Sequence, residues 1–200
     1  MKRKTYFEEV KKIVNKGFAD YQEKAKEYSK LKEEREAGHF SIDYLNNTIL
    51  PKLQTLKSEL NAIQENTKSE VRRLTEQQKE KLVNIDVLDP KELTDDIKLL
   101  QGGLILKERD IEGILSRNAG NRTMTQLAIR YADEHGMKGI IAPRSYVSGK
   151  DLIMSYDNIR NSVDMVIRWY DEEKAYKNMY DTVLGETGCI SDFCNTDSDI

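Results

Sequence analysis

Apolar side chains recur along residues 5–36 at Phe7, Val10, Val14, Phe18, Tyr21, Ala25, Tyr28 and Leu31, in steps of three and four. That spacing predicts one amphipathic helix whose remaining surface is mostly Lys and Glu. Gly17 weakens its middle, and Gly38, following Arg35 and Glu36, stops it. Beyond a turn with Ser41 as N-cap, the stripe resumes at Ile49, Leu53, Leu56, Leu60, Ile63, Val71, Leu74 and Leu82. Thr67 and Gln78 stand at positions that the pattern would fill with apolar groups. Pro51 leaves two readings open: a short turn followed by a new helix with Pro51 in its first turn, or one helix kinked there. At 1.5 Å per residue the two rods would be about 45–50 Å and 50–65 Å long, too long for a compact sphere of this chain length. Joined by a few residues, they predict an antiparallel, coiled-coil-like hairpin over residues 1–84. So polar a pair is marginal alone and calls for a third helix or another subunit.

The pattern then shortens. Asp89-Pro90 predicts an N-cap and first-turn proline for a helix running to about Leu100, broken by Gly102-Gly103. A second short helix is expected from Lys107 to Arg117. A third, capped by Asn121 or Thr123, runs to His135 and ends at Gly136. These form a small three-helix unit over residues 85–140. A loop follows, then a long helix from Asp151 or Ser155 to Leu184, carrying Ile159, Val163, Val166, Ile167, Tyr170, Met179, Tyr180 and Val183. This helix, within residues 141–184, is expected to pack on the hairpin, leaving residues 185–200 as a flexible acidic tail. The expected fold class is therefore all-α: a long helical hairpin, a third long C-terminal helix and an inserted unit of short helices.

Composition sharpens this picture. The chain has 200 residues, 38% hydrophobic and 34% charged, against the roughly 25% charged of ordinary globular chains. Its formal net charge of -3 is uneven. Residues 1–84 hold eighteen basic and fourteen acidic side chains, whereas residues 85–200 hold fourteen and twenty-one. No apolar run is long enough for a membrane span. Glu8, Glu9, Lys11 and Lys12 interrupt what would be the apolar part of a secretory signal. The expected location is cytoplasmic, in a bacterial host if the chain is phage-encoded.

The residues that could carry chemistry are few. Cys189 and Cys194 lie in the tail without the further ligands that zinc needs, and are read as two free thiols. His39 lies at an exposed turn, and His135 lies in the last turn of its helix, where it suits capping. Ser148-Gly149-Lys150-Asp151 lacks both the earlier glycine and the following Ser/Thr of a phosphate loop. The expectation is no enzyme, no cofactor and no metal. Residues 107–135 can be drawn as a helix-turn-helix, with Arg122, Gln126 and Arg130 facing DNA, but Asp133 and Glu134 oppose the phosphate field. Nucleic acid is therefore not expected as a partner. Tyr146, Tyr156, Trp169, Tyr170, Tyr176 and Tyr180 crowd the last third, and aromatic side chains dominate binding hot spots. They are the candidate partner-binding residues, although helical spacing also suits them to a core.

The string LKERDIEGILSRNAGNRTMTQLAIRYADEHG, residues 106–136, resembles a segment of small helical proteins from the assembly modules of tailed bacteriophages and prophages of Gram-positive hosts. The likeness rests on Leu115, Asn118, Asn121, Thr123, Met124, Leu127, Tyr131, Ala132 and Gly136. It implies a viral origin and a binding function, and carries no functional residue with it. The sequence reading is thus a non-enzymatic interaction protein of virion (head) assembly or structure, binding a protein partner or itself. The alternative is a phage or mobile-element inhibitor that binds a host protein or nucleoprotein, its acidic half mimicking nucleic-acid charge.

Overall fold

The computed structural model of the chain describes residues 3–143, 146–186 and 188, and no strand occurs among them. The elements are α1 (Arg3–Glu36), α2 (Ile42–Tyr44), a π-helical turn (Leu45–Ile49), α3 (Leu50–Leu82) and a 3-10 turn (Pro90–Glu92), followed by α4 (Ile97–Gln101), α5 (Glu108–Arg117), α6 (Arg122–Glu134), α7 (Gly149–Ile167) and α8 (Glu173–Leu184). The fold is all-α. Two units divide the chain: unit 1 is Met1–Gln78 with Ser155–Ile200, and unit 2 is Lys79–Met154.

Unit 1 is a bundle whose register can be read from its cross-links. Tyr6 meets Thr75 (2.9 Å), Gly17 faces Thr67, and Lys24 pairs with Glu59 (3.3 Å), so α1 and α3 run antiparallel. Gln64 reaches the Ile167 carbonyl (3.2 Å) and Arg72 reaches Asp164 (3.2 Å), which sets α7 antiparallel to α3. Tyr176 and Tyr180 both bond Asn15, at 3.0 and 2.9 Å, bringing α8 back along α1. The helices therefore alternate in direction around a core of Tyr6, Val10, Val14, Val71, Ile159, Val163, Val166, Ile167 and Tyr170.

Two expectations change here, and the two readings of Pro51 resolve to the single helix, whose turn before the proline widens. The Leu50 amide donates to Leu45, five residues back, and the helix runs on from residue 42 to residue 82. Gly17 is a buried contact point rather than a weak spot, since a Cβ there would overlap Thr67 Oγ1. Thr67, Thr75 and Gln78 are buried in the seam instead of interrupting it, and the two threonines return their hydroxyls to the Ile63 and Val71 carbonyls at 2.8 Å.

The long C-terminal helix is in fact two. α7 ends at Ile167 and α8 begins at Glu173, with no Pro or Gly between them. The break is held from outside the segment. Gln64 donates to the Ile167 carbonyl, which also accepts from the Tyr170 amide (3.3 Å), and Gln22 donates to the Tyr170 carbonyl (2.9 Å). The acidic run Asp171-Glu172-Glu173 then meets the positive end of α8.

Unit 2 packs Leu106, Ile111, Ile114, Leu115, Met124, Ala128, Tyr131 and Ala132 into one core. The helix expected from Pro90 to Leu100 is instead one 3-10 turn plus α4. Asp89 caps that turn as expected, accepting from the Lys91 amide (2.9 Å). Asn121 donates to the Glu92 carbonyl (2.6 Å) where the 3-10 turn ends. Asn121 also caps α6, accepting from the Met124 amide at 2.9 Å, and Gly136 with φ +67° closes it. Unit 2 extends past residues 85–140 at both ends, because Arg122 and Asp86 tie residues 85–86 to residues 147–149.

Candidate interaction surface

Burial sorts the six candidate aromatics. Tyr156, Tyr170 and Tyr176 are interior. They lie in the bundle because α7 and α8 turn them toward α1: Tyr156 meets the Tyr6 ring edge-on (4.9 Å), Tyr176 stacks on Phe18 (3.6 Å), and the Tyr170 hydroxyl donates to the Val14 carbonyl (2.7 Å). Burial pushes the Tyr170 and Tyr176 phenols well above the ordinary tyrosine range. Tyr180 is half-buried beside Tyr176. Tyr146, in unit 2, is half-buried under the Arg122 guanidinium (5.0 Å), and burial raises its pKa with Asp86 adding to the effect. Only Trp169, the sole tryptophan, stands open, at 42% exposure in the turn that ends α7, next to exposed Arg168 and one helical turn from Met165. The partner role assigned to Tyr156, Tyr170 and Tyr176 is corrected to a packing role, since a side chain already enclosed by its own chain has no face to offer.

A second surface comes from the hairpin itself. The buried residues of α1 end at Tyr21, and Ala25, Tyr28 and Leu31 are only half-buried. The reason is geometric: α7 stops level with Gln22 and Gln64, while α1 and the α2–α3 run continue as a pair. We call this stretch, residues 22–36 and 42–63, the arm. Its seam is closed by Ile49, Leu53 and Leu60. At its foot lies a groove of about 350 Å³ lined by Gln22, Ala25, Ser29, Lys30 and Asp171. At its tip, Ile42 is 77% exposed, Tyr44 46% and Leu50 38%, with Phe40 against the Tyr44 ring (5.3 Å). These are the exposed large apolar side chains of the arm; in unit 2, Leu104 (61%), Ile105 (89%) and Ile141 (85%) are exposed as well.

The side chains that suggested chemistry are engaged in holding the backbone. Arg122 donates to the carbonyls of Ile85 (2.9 Å) and Val147 (2.8 Å) and to Asp86 (2.7 Å), and Gln126 donates to the Asp86 carbonyl (3.0 Å). Two of the three groups that a helix-turn-helix would turn toward DNA are thereby occupied. Ser148 caps α7, accepting from the Asp151 amide (3.1 Å) and donating to its carboxylate (2.6 Å). His135 Nδ1 lies 2.8 Å from the Tyr131 carbonyl, at the C-terminal cap of α6. The Arg117 guanidinium and Asn118 hold the Asp96 carboxyl below its usual range. Among the described residues no group of three or more His, Cys, Asp or Glu could hold a metal, and no helix is long and apolar enough to cross a membrane. Cys189, Cys194 and the tail beyond Gly188 lie outside the described residues.

No family model, no curated protein and no solved structure matches the chain.

Proposed function

We propose that the chain is a non-enzymatic protein–protein interaction protein of a tailed-phage or prophage particle, acting in head assembly or as a structural component. The docking element is the arm of unit 1. The observation that carries this reading is the apolar tip: Ile42, Tyr44 and Leu50 stand in water at the end of a hairpin whose flanks are Lys and Glu. Leaving such groups exposed costs hydration free energy that a partner would recover. The likeness of residues 106–136 to phage assembly proteins supplies the setting.

The test is a photo-crosslinking residue at position 44, expressed in cells that carry the native gene neighbourhood, with crosslinked partners identified by mass spectrometry. The expected partners are particle proteins, and the crosslinks should disappear with I42K. Crosslinks to host enzymes alone would overturn the reading.

A further inference from the structure

We propose that the extended segment 104–106 of unit 2 is a docking edge, and that its occupant is an apolar peptide strand with acidic flanks supplied by a partner protein. This site is separate from the arm and does not rest on it.

The backbone specifies the conformation of the occupant. Residues 104–107 are neither helical nor turned, and Lys107 is extended, with φ -95° and ψ 163°. In an extended chain, residues i and i+2 turn their amides and carbonyls to one edge, and residue i+1 turns its own to the other. The Tyr131 hydroxyl occupies the first edge. It accepts from the Leu106 amide (3.1 Å) and donates to the Leu104 carbonyl (2.8 Å), as one residue of a neighbouring parallel strand would. The amide and carbonyl of Ile105 therefore face the other edge, where neither has a hydrogen-bond partner among the described residues. A donor and an acceptor left open on one extended residue are complemented by another extended chain, which is how peptides add to a free edge.

The side chains specify its apolar character. Leu106 is packed in the core of unit 2, while Ile105 beside it is 89% exposed. The Gly139 amide bonds the Glu108 carboxylate (3.2 Å), which brings a second irregular segment to the start of α5. The same alternation recurs there, with Ile140 packed on the core and Ile141 in water. Leu104, Ile105 and Ile141 thus leave three branched apolar side chains on the two segments for an incoming strand to cover.

Charge selects among apolar strands. The charged side chains of residues 102–107 and 136–143 are Lys107 and Lys138, both exposed and neither paired with a carboxylate among the described residues. The acids that open α5, Glu108 and Asp110, already accept from the Gly139 and Lys107 amides, at 3.2 and 2.8 Å. Acidic side chains flanking the incoming strand would pair with the two cations, whereas a second copy of this chain would bring two more cations to the same edge.

The experiment is fluorescence anisotropy on the full chain with labelled peptides of about six residues, an ordinary strand length. Valine and threonine alternate between terminal aspartates, and lysine-flanked and backbone N-methylated counterparts serve as comparisons. The variants are I105P and K107E. Proline at position 105 removes the open amide in a segment that has no helix to break, and far-ultraviolet dichroism checks that the helices persist. The expected result is saturable binding of the aspartate-flanked peptide, weakened at least about tenfold by I105P and by N-methylation, since each removes a main-chain hydrogen bond. K107E should weaken it too, and shift preference toward the lysine-flanked peptide. An absence of binding overturns the inference, as does binding indifferent to both I105P and N-methylation, or equal binding of the two flanks. Dimerisation of the wild type that I105P abolishes would also overturn it, by making a second copy the occupant. Crosslinking through position 44 is untouched by any of these outcomes, so the arm stands or falls separately.

Discussion

Gly17 of α1 and Thr67 of α3 meet in the buried seam between the two long helices. A Cβ at Gly17 would overlap Thr67 Oγ1 and come within 2.9 Å of the Tyr170 hydroxyl. Gly17→Ala should therefore destabilise unit 1, although alanine favours a helix by about 1 kcal/mol. Overpacking costs about 1–3 kcal/mol, and the net expectation is a loss of up to about 2 kcal/mol in urea unfolding. Adding Thr67→Ala removes the overlapping atoms, so the double variant should be more stable than the sum of the single effects. Strict additivity would show that the two positions do not press on each other.

The buried Tyr6–Thr75 pair supplies a second test. Thr75 gives its proton to the Val71 carbonyl, so its oxygen is the acceptor for the Tyr6 hydroxyl. Thr75→Val keeps the shape and removes that acceptor. A loss of about 1–3 kcal/mol is expected, the cost of withdrawing a buried partner. An unchanged unfolding midpoint would show that the hydroxyl contributes nothing to the seam.

Stability should fall in alkali. Burial holds the Tyr170 and Tyr176 phenols neutral above their ordinary range. Unfolded tyrosine ionises near pH 10, so above that pH the unfolded state releases protons that the folded state retains. The contribution of these two phenols is thus complete below about pH 10 and declines as pH rises further. Tyr170→Phe should flatten the fall in urea midpoint above about pH 10, and a slope identical to wild type would exclude Tyr170 as its source.

In unit 2, Arg122→Lys keeps the charge and loses the fork. One ammonium cannot reproduce the planar donors that reach Ile85, Val147 and Asp86 together. A loss of about 1–3 kcal/mol is expected, read as faster amide exchange in α6 and residues 85–88. Exchange unchanged from wild type would sink this account of Arg122.

The helices that bury one continuous stripe were legible in the sequence. Steps of three and four placed α1, α3, α5 and α6, and Gly38, Asn121 and Gly136 marked ends where the backbone must turn. What escaped was set by partners distant in sequence. The stop of α7 at Ile167 depends on glutamines 103 and 148 residues away, and nothing between Arg168 and Glu172 announces it. Tyr170 and Trp169 are neighbours with identical local context, yet one is enclosed and the other open, because only the turn of chain decides which faces α1. Of the six aromatics named for a partner, Tyr156, Tyr170 and Tyr176 are enclosed and Trp169 stands open. The tip was missed, although Phe40, Ile42 and Tyr44 around the predicted turn were its available signal.

The widened turn at Leu45–Ile49 acts as a phase shifter. In an uninterrupted α-helix Ile42 and Ile49, seven residues apart, would share a face within about 20°. A π turn holds one residue more per hydrogen-bonded loop, which rotates everything before it by roughly 100°. Ile49 is accordingly 2% exposed and Ile42 77%. The azimuth of the tip is therefore fixed by the count of residues in a single turn. Shortening that turn by one residue would swing Ile42 back toward the seam and withdraw the apolar end from solvent, with no change to the chemistry of any side chain that remains.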